Sequence, residues 1–231
     1  VSTSGITSGL ALNAAQLIAL VSPSAVTKPS GSSSGSLNLN FAAASTAFDY
    51  LASGEVLTLA YTLSIDDTAS SNNIGTRTFT ITITGTNDTP DITVGSGDTD
   101  AVTLPESNAS LTSSGTLTVV DLDLSNSVTP SVLSVAASGT TTGLGSDNAA
   151  LLAMMSVAPS SIPADVGSTN NLNWSFNSNS EFFNYLAVGE SLVLTYTIRA
   201  TDNASATDNQ TVVITITGTN DTPDITVGSG D

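Results

Sequence analysis

The 231-residue sequence contains no cysteine and no histidine, and only three of its residues are lysine or arginine. The chain therefore has no thiol nucleophile, no disulfide, no Cys/His zinc site and no Ser-His-Asp triad. Its 20 acidic residues give a formal net charge of −17, which disfavours binding to nucleic acid or to an anionic membrane surface. No apolar run approaches the roughly 20 residues that span a bilayer, so we expect no membrane insertion. The natural counter-charges of this chain are cations.

The sequence repeats itself, and the repeat predicts the domain organisation. The segment ITITGTNDTPDITVGSGD occurs at 81–98 and again at 214–231, 133 residues later. Upstream, AFDYLASGEVLTLAYTL (47–63) matches FFNYLAVGESLVLTYTI (182–198), SLNLNF (36–41) matches NLNWSF (171–176), and NAAQL (13–17) matches NAALL (148–152). Val1 falls opposite about Val135, so the first repeat lacks counterparts of 101–134. We predict an incomplete first module (1–88), a complete second module (89–221) and the start of a third (222–231), taken from a longer array.

Apolar and polar residues alternate within each module, which is typical of half-buried strands. One such row is Leu192, Leu194, Tyr196 and Ile198, and its counterpart in the first module is Leu57, Leu59, Tyr61 and Leu63. Turns rich in Gly, Asn, Asp and Ser separate these segments. Short helical turns are predicted only within 13–20, 147–155 and 181–186. The pattern predicts an all-β chain of tandem antiparallel β-sandwiches with one or two short helical turns per module.

Three motifs resemble VCBS-type repeats, which are related to the cadherin-like modules of giant bacterial adhesins. They are ITITGTNDTPDI, the preceding YLAxGExLxLxYT and GTLTVVDLD near the start of the second module. The resemblance implies Ig- or cadherin-like sandwiches in an RTX-like adhesin. It also implies export by a type I secretion route, a place on the bacterial cell surface, and a role in adhesion or biofilm formation.

The acidic residues lie mostly in loops and near module ends, where they suggest calcium. Ca²⁺ prefers six to eight oxygen ligands from carboxylates and carbonyls. The resemblance to cadherin-type junctions implies two groups of ligands, one at each end of the second module. The first group is Asp66, Asp67, Asn87, Asp88, Asp91, Asp121 and Asp123; the second is Glu106, Asp202, Asn220, Asp221 and Asp224. On the competing interpretation, these residues only form turns and keep the surface soluble.

Two functions remain open. The first is a structural extender whose calcium-stiffened joints with neighbouring repeats hold distal binding domains away from the cell. The alternative is a repeat that itself binds a glycan, a surface or another copy of the chain. Catalysis is not expected: the carboxylate pair Glu181 and Glu190 could suggest a glycosidase, but Glu181 falls opposite Thr46 in the repeat. Alternate threonines in 76–86 could form a surface-binding face, although threonine is ordinary on exposed strands.

Overall fold

A computed structural model describes residues 1–66, 73–223 and 225 of the chain. The chain folds into two compact units, which we treat separately. Unit 1 comprises residues 1–88 and 122–125, and unit 2 comprises 89–121 and 126–231. Most of the segment predicted to begin a third module, 224 and 226–231, lies outside the described residues.

Unit 1 is built from five strands and one short helix among its described residues. In chain order they are β1 (Ser2–Gly5), α1 (Ala14–Ala19), β2 (Val21–Pro23), β3 (Leu39–Phe41), β4 (Val56–Asp66) and β5 (Ile74–Thr84). Strands β1, β4 and β5 form a three-stranded antiparallel sheet in that order, and β2 pairs with β3 in a second antiparallel sheet. Within the part of the chain that the structure describes, β5 and β3 are therefore edge strands.

Unit 2 is a two-sheet β-sandwich. Its elements are β6 (Asp91–Thr93), β7 (Ala101–Pro105), β8 (Thr112–Val120), β9 (Ser127–Gly139), α2 (Asn148–Leu152), β10 (Met155–Ala158), β11 (Ile162–Pro163), β12 (Leu172–Asn177), β13 (Ser191–Thr201) and β14 (Thr207–Thr217). One sheet has the order β10-β12-β8-β6 and the other β11-β9-β13-β14-β7. Every pairing is antiparallel except that of β14 with β7, which is parallel.

The core of unit 2 lies between its two sheets and confirms the period-two pattern. The large inward apolar residues of β8, β12, β13 and β14 are at most 1% exposed. They are Leu117 and Val119 of β8, Leu172, Trp174 and Phe176 of β12, Leu192, Leu194, Tyr196 and Ile198 of β13, and Val212, Ile214 and Ile216 of β14. Full burial of each large aliphatic or aromatic side chain contributes about 1.5–3 kcal/mol to stability. The predicted all-β sandwich architecture is confirmed.

Two of the predicted helical turns are present, and both are capped at the N-terminus. In α1 the Gln16 N–H donates to Asn13 Oδ1 at 3.0 Å, while the Asn13 N–H donates to Gln16 Oε1 at 2.9 Å. This reciprocal pair is a capping box. In α2 the Ala150 N–H donates to Asp147 Oδ1 at 2.8 Å. The third prediction, a helical turn within 181–186, is wrong, because Phe183 has φ +61° and an α-helix requires negative φ.

The structure also corrects the sequence match at the helices by one residue. The Tyr61 hydroxyl donates to the Leu17 carbonyl and the Tyr196 hydroxyl to the Leu151 carbonyl, both at 2.8 Å. Leu17 is therefore the counterpart of Leu151, whereas the match of NAAQL with NAALL places it opposite Leu152. The extra residue of unit 2 lies in the segment between β10 and β12, which contains β11.

Other contacts recur in both units and show one common framework. Each unit has a tyrosine hydroxyl that holds the loop after its first matched strand and a glutamate that closes a tight turn. The Tyr50 hydroxyl donates to the Ile6 carbonyl at 2.8 Å, and the Tyr185 hydroxyl donates to the Thr140 carbonyl at 2.9 Å. The Ala52 N–H donates to Glu55 Oε2 at 3.0 Å, and the Ala187 N–H donates to Glu190 Oε2 at 2.9 Å. The repeat is thus present in the three-dimensional contacts as well as in the amino-acid sequence.

Candidate functional site

Four acidic side chains of the described residues are more than nine-tenths buried. They are Glu106 (2% exposed), Asp121 (2%), Asp123 (0%) and Asp202 (6%). All four are among the metal ligands that the sequence predicts. A buried carboxylate is costly unless hydrogen bonds or a cation compensate its charge. Because the whole chain has three basic residues, basic side chains cannot balance its 20 acidic ones.

Glu106 directly follows β7, where it joins the chain segment beyond β14. Its N–H donates to the Thr217 carbonyl at 2.8 Å. Its Oε1 accepts hydrogen bonds from the Thr219 N–H at 2.8 Å and the Thr219 hydroxyl at 2.5 Å. The other carboxylate oxygen, Oε2, is buried and has no hydrogen-bond partner within the part of the chain that the structure describes. A cation bound beside this oxygen would compensate its negative charge.

The residues that follow Thr219 extend this end of unit 2, which we call the Glu106 end. Asn220 and Asp221 are exposed, and the Asn220 side-chain amide donates to the Asp221 carbonyl at 3.3 Å. Asp224, the last ligand predicted for this group, lies outside the described residues. The structure thus places Glu106, Asn220 and Asp221 at the same end of unit 2.

Asp202 does not belong to this group, which corrects the sequence prediction. Strand β13 separates it from the Glu106 end, because Ser191 pairs with Thr217 at one extremity and Thr201 with Thr207 at the other. Ten residue steps along a strand span about 34 Å. Asp202 instead closes its own turn, where its Oδ1 accepts the Ala206 N–H at 2.7 Å. The sequence did not reveal this separation, because the turn that contains Asp202 lies at the far end of the long β13–β14 hairpin.

Asp202 shares its end of unit 2, the Asp121 end, with Asp91 and Asp121. Asp91 pairs opposite Val120, the residue that precedes Asp121. Asp208 connects strand β6 to the β13–β14 hairpin. Its Oδ2 accepts a hydrogen bond from the Ile92 N–H at 3.0 Å, and its backbone pairs opposite Ala200 near the Asp202 turn. Asp91 is exposed, whereas Asp121 is buried. This end carries three of the predicted ligands, and Asp208 has a structural role there.

In unit 1, the predicted ligands Asn87, Asp88 and Asp123 form a local group. The Asp88 N–H donates to Asp123 Oδ2 at 2.9 Å, and the Asn87 side-chain amide donates to the Asp88 carbonyl at 2.8 Å. Burial, and secondly the negative charge of Asp49, raises the pKa of the Asp88 carboxyl above its usual value. Asp49 gave no signal in the sequence, because its counterpart in the second repeat is Asn184.

Asp66 does not join this group, which is a second correction. In the β4–β5 hairpin Val56 pairs with Thr84, close to Asn87, whereas Asp66 pairs with Ile74 at the other extremity. Its Oδ1 accepts the Asn73 side-chain amide at 2.8 Å. Asp67 lies outside the described residues. The reason is again the length of the hairpin, because its turn lies at the opposite extremity from Val56 and Thr84.

The fit of this chain to a calcium ion is therefore partial. Among the residues the structure describes, no group of three or more Asp or Glu side chains is arranged to hold a metal ion. A feature that favours a cation is the Oε2 atom of Glu106, which is buried and has no hydrogen-bond partner among the described residues. Any metal bound at the Glu106 end needs carbonyl, amide and water oxygens in addition to carboxylates, which are ligands that Ca²⁺ accepts.

Asp98 is the acidic residue with the clearest structural role. Its carboxylate accepts hydrogen bonds from the Gly95 N–H (2.8 Å), the Thr116 hydroxyl (2.7 Å), the Thr118 hydroxyl (2.7 Å) and the Asn170 amide (2.5 Å). Burial alone would raise the pKa of Asp98, but these hydrogen bonds outweigh it and lower the pKa below its usual value. Asp98 thereby fastens the segment between β6 and β7 to β8.

The glutamates that could suggest a glycosidase pair are both used in loop structure. Glu181 accepts the Ser146 hydroxyl at 2.7 Å and the Phe183 N–H at 3.2 Å, and Glu190 accepts the Ala187 N–H. Burial, with the charges of Glu181 and Glu190 adding to it, raises the pKa of Tyr185 to about 12. Each carboxylate therefore has a local partner that accounts for its position.

The alternate threonines of β5 share one exposed face. They are Thr76, Thr78, Thr80, Thr82 and Thr84. In the described part of the chain, no helix is long and apolar enough to cross a membrane.

Comparisons with known proteins identify similar folds but no family. No protein-family model matches the chain, and no curated protein does. Among solved structures, the extracellular domain of Protocadherin GammaB4 is 12% identical with a TM-score of 0.38, over 87% of this chain and 27% of that one. AggA, the major subunit of aggregative adherence fimbriae type I from Escherichia coli, is 15% identical with a TM-score of 0.31, over 57% and 97%.

A third similar structure is the PapD-like domain 7 of human CEP192. It is 9% identical with a TM-score of 0.32, over 57% of this chain and 86% of that one. These three structures are a protocadherin, a fimbrial subunit and a PapD-like domain, and their TM-scores are all below 0.5. These likenesses therefore carry no argument about what this chain does.

Proposed function

We propose that this chain is a pair of non-catalytic extender modules from a repetitive bacterial surface adhesin, and that calcium stiffens it. The observation that carries the calcium proposal is the Glu106 carboxylate, which is 2% exposed and has one buried oxygen without a partner among the described residues. In a chain with a net charge of −17, a bound divalent cation is the available source of compensation.

At the Glu106 end, the Glu106 carboxylate and the oxygens of Asn220 and Asp221 would hold the ion. Thr219 fixes Glu106 Oε1 by two hydrogen bonds, which leaves Oε2 to face the cation. A bound calcium ion would supply positive charge that joins β7 to the segment beyond β14. With so few carboxylates, we expect weak affinity, about 0.1–1 mM, as in extracellular calcium modules.

The extender role is supported by the repeated framework of the two units. The same tyrosine and glutamate contacts recur at matched positions, which is what an array of similar modules requires. Surface display, type I export and a part in adhesion or biofilm formation are further elements of the proposal, and they rest on the resemblance of the sequence motifs alone.

Calcium titration of the whole chain tests the metal site. We expect about 5 mM Ca²⁺ to raise the melting temperature of unit 2, monitored by the fluorescence of its single tryptophan, Trp174. The variant Glu106→Gln keeps an oxygen for Thr219 but removes the charge, so it should lose most of this shift. It should also be at least as stable as the parent chain in chelator, because it no longer buries an uncompensated charge.

The matched control is Asp147→Asn, which removes one negative charge at a helix cap. Asn13 occupies the equivalent cap in unit 1, so the amide is compatible with the fold. This variant should keep the full calcium shift. The metal site would be disproved if calcium did not change the melting temperature, or if Glu106→Gln showed the same shift as the parent chain. Stiffening would be disproved if calcium did not change the maximum dimension of the chain in solution scattering.

A further inference from the structure

The outward surface of the larger sheet of unit 2 is rich in hydroxyl groups. We call it the hydroxyl face and define it as the outward residues of β7, β9, β13 and β14, which lie side by side. The apolar inward residues of β13 and β14 are at 0% exposure, so the residues that alternate with them point outward. Most of the outward residues are threonine or serine. On β13 and β14 they include Thr195, Thr197, Thr201, Thr211, Thr215 and Thr217.

The hydroxyl face carries no carboxylate. Asp208 of β14 is the only acidic residue in the four strands, all of which the structure describes in full. It points to the inner side, where its Oδ2 accepts the Ile92 N–H of the opposite sheet at 3.0 Å. The outward side of that opposite sheet differs, because the Asp98 carboxylate lies on Thr116 and Thr118 of β8. The acidic residues of this chain, with its net charge of −17, therefore lie elsewhere.

The single basic residue of unit 2 lies on the hydroxyl face. It is Arg199 of β13, since Lys28 and Arg77 belong to unit 1. The Arg199 Nε–H donates to Oδ1 of Asn209, the residue opposite it on β14, at 3.1 Å. This bond holds the guanidinium along the sheet. A second copy with the same net charge therefore meets less repulsion at this face than where carboxylates are exposed.

The face is large enough for a specific contact. Strands β13 and β14 have 11 residues each. At about 3.4 Å per residue and about 4.8 Å per strand, four strands cover roughly 37 Å by 19 Å, or roughly 700 Å². A standard protein–protein interface buries about 800 Å² per partner. Because the face has no aromatic side chain to act as an anchor, we expect the contact to be weak.

We propose that two copies of this chain associate through the hydroxyl faces of unit 2, sheet against sheet. Contacts through other surfaces would bring carboxylates of the two copies together, and opposed like charges cost several kcal/mol. Small side chains let two sheets pack about 10 Å apart. On a cell surface, copies held side by side have a high effective concentration, so a weak contact suffices. That setting rests on the proposed function, but the contact itself does not.

A neutral polysaccharide is the rival occupant, and the form of the surface argues against it. Sites for small ligands are concave and bury most of the ligand. The hydroxyl face is the open outer side of a paired sheet, and the aromatic residue Tyr196 of β13 points inward, at 0% exposure. A second sheet can cover such a surface, whereas a sugar chain would remain largely in water.

Sedimentation equilibrium of the 231-residue chain tests the proposal. It is carried out in chelator, so that failure would leave the proposed calcium site untouched. We expect a monomer–dimer equilibrium with a dissociation constant on the order of 0.1–1 mM in about 0.5 M NaCl. In about 50 mM NaCl the association should be several-fold weaker, because the repulsion between two acidic copies is less screened.

Charged substitutions locate the contact. Ala136→Asp combined with Thr211→Asp places two charges at exposed positions of the hydroxyl face, on the strands that flank β13. This variant should associate at least about tenfold more weakly. The matched control is Ser156→Asp combined with Ser114→Asp, at exposed positions of the strands that flank β12 on the other sheet. It should keep most of the association.

A mixing experiment separates contact at the face from a general effect of charge. A chain with Ala136→Lys and Thr211→Lys, mixed with the double-aspartate chain, should associate more tightly than the double-aspartate chain alone. Trp174 fluorescence shows whether each variant folds. If the double-aspartate chain does not fold, Thr103→Asp on β7 places one charge on the same face and should weaken association by about threefold.

Three results would overturn the proposal. The first is a chain that stays monomeric at about 1 mM in high salt, including one that binds a neutral polysaccharide instead. The second is an equal loss of association in the control that carries its charges on the other sheet. The third is a mixture of lysine and aspartate variants that associates no more tightly than the aspartate variant alone.

Discussion

The two units carry the same alternating strands but bury them to different extents. Along β13 the row from Leu192 to Ile198 is at 0% exposure. In the matching row of β4, Leu57 and Leu59 are at 0% and Tyr61 at 5%, but Leu63 is only half-buried. The alternation thus decides which face of a strand is apolar. Whether that face is buried depends on the strands packed on the opposite side.

Some hydrogen bonds of the two units are the same although the burial of their strands differs. The helix caps and the tyrosine hydroxyl bonds have nearly equal lengths in both units. The caps connect residues three positions apart, and the tyrosine bonds connect residues 44 or 45 positions apart within the same module. The framework of the repeat therefore forms in unit 1 even though its core is smaller.

The largest expected difference concerns the phenylalanines of β12 and β3. Phe176 is 1% exposed and Phe41 is half-buried. Phe176→Ala should lower the free energy of unfolding of unit 2 by about 3–5 kcal/mol. Phe41→Ala should cost unit 1 no more than about 2 kcal/mol, because its side chain is only partly buried. Urea unfolding followed by Trp174 fluorescence measures unit 2, and amide exchange in β4 measures unit 1; equal losses would contradict the comparison.

Glycine substitutions at matched positions should instead cost both units the same. A Cβ on Gly218 would lie 2.2 Å from the Ala187 carbonyl oxygen, and one on Gly85 would lie 2.2 Å from that of Leu51. Gly218→Ala and Gly85→Ala should each destabilise their unit by about 1–3 kcal/mol in the same two assays. Gly75→Ala in β5 is the control: a Cβ there meets nothing within 4 Å, so we expect no loss. A large effect in unit 2 alone would show that the matched turn is not equally tight.

Asp98 tests a contact that only unit 2 possesses among the described residues. Asp98→Asn should destabilise unit 2 by about 1–2 kcal/mol at pH 7, because its four donors lose a charged acceptor in a half-exposed site. The folded-state pKa lies below the usual value of 3.8, so the stabilisation is complete above that value and is lost as pH falls through the folded-state pKa. Urea unfolding at pH 7 and at about pH 3 measures this. A variant difference that stays constant across that range would contradict the assignment.

The smallest effect is expected at the helix caps and should again be equal in both units. Asp147→Ala and Asn13→Ala each remove the side-chain acceptor of a helix N-cap. Each should cost about 1 kcal/mol. Amide exchange within α1 and α2 is the measurement, and Asp147→Asn is the control with little expected change. Unequal losses would show that one short helix depends on its cap more than the other.

Much of the fold could be predicted because its signals are local. Period-two alternation identified the strands of the sandwich, and short apolar runs after Asn13 and Asp147 identified the helices. The candidate site was harder. Asp66 and Asp202 were assigned to the wrong ends, because a loop's place in the chain does not say to which end of an 11-residue strand it is carried. The hydrogen bonds of Asp98 join three separate segments and left no signal of their own.

The sequence alone determined that this protein is all-β, repetitive and strongly acidic, because alternation, repeat and charge are each carried by the residues themselves. The tertiary structure decided which carboxylates share an end of the sandwich, which of them are buried, and which strand edges are covered. Those properties depend on pairing between residues far apart in the chain. One such carboxylate oxygen is Oε2 of Glu106, which is buried in a chain that has only three basic residues.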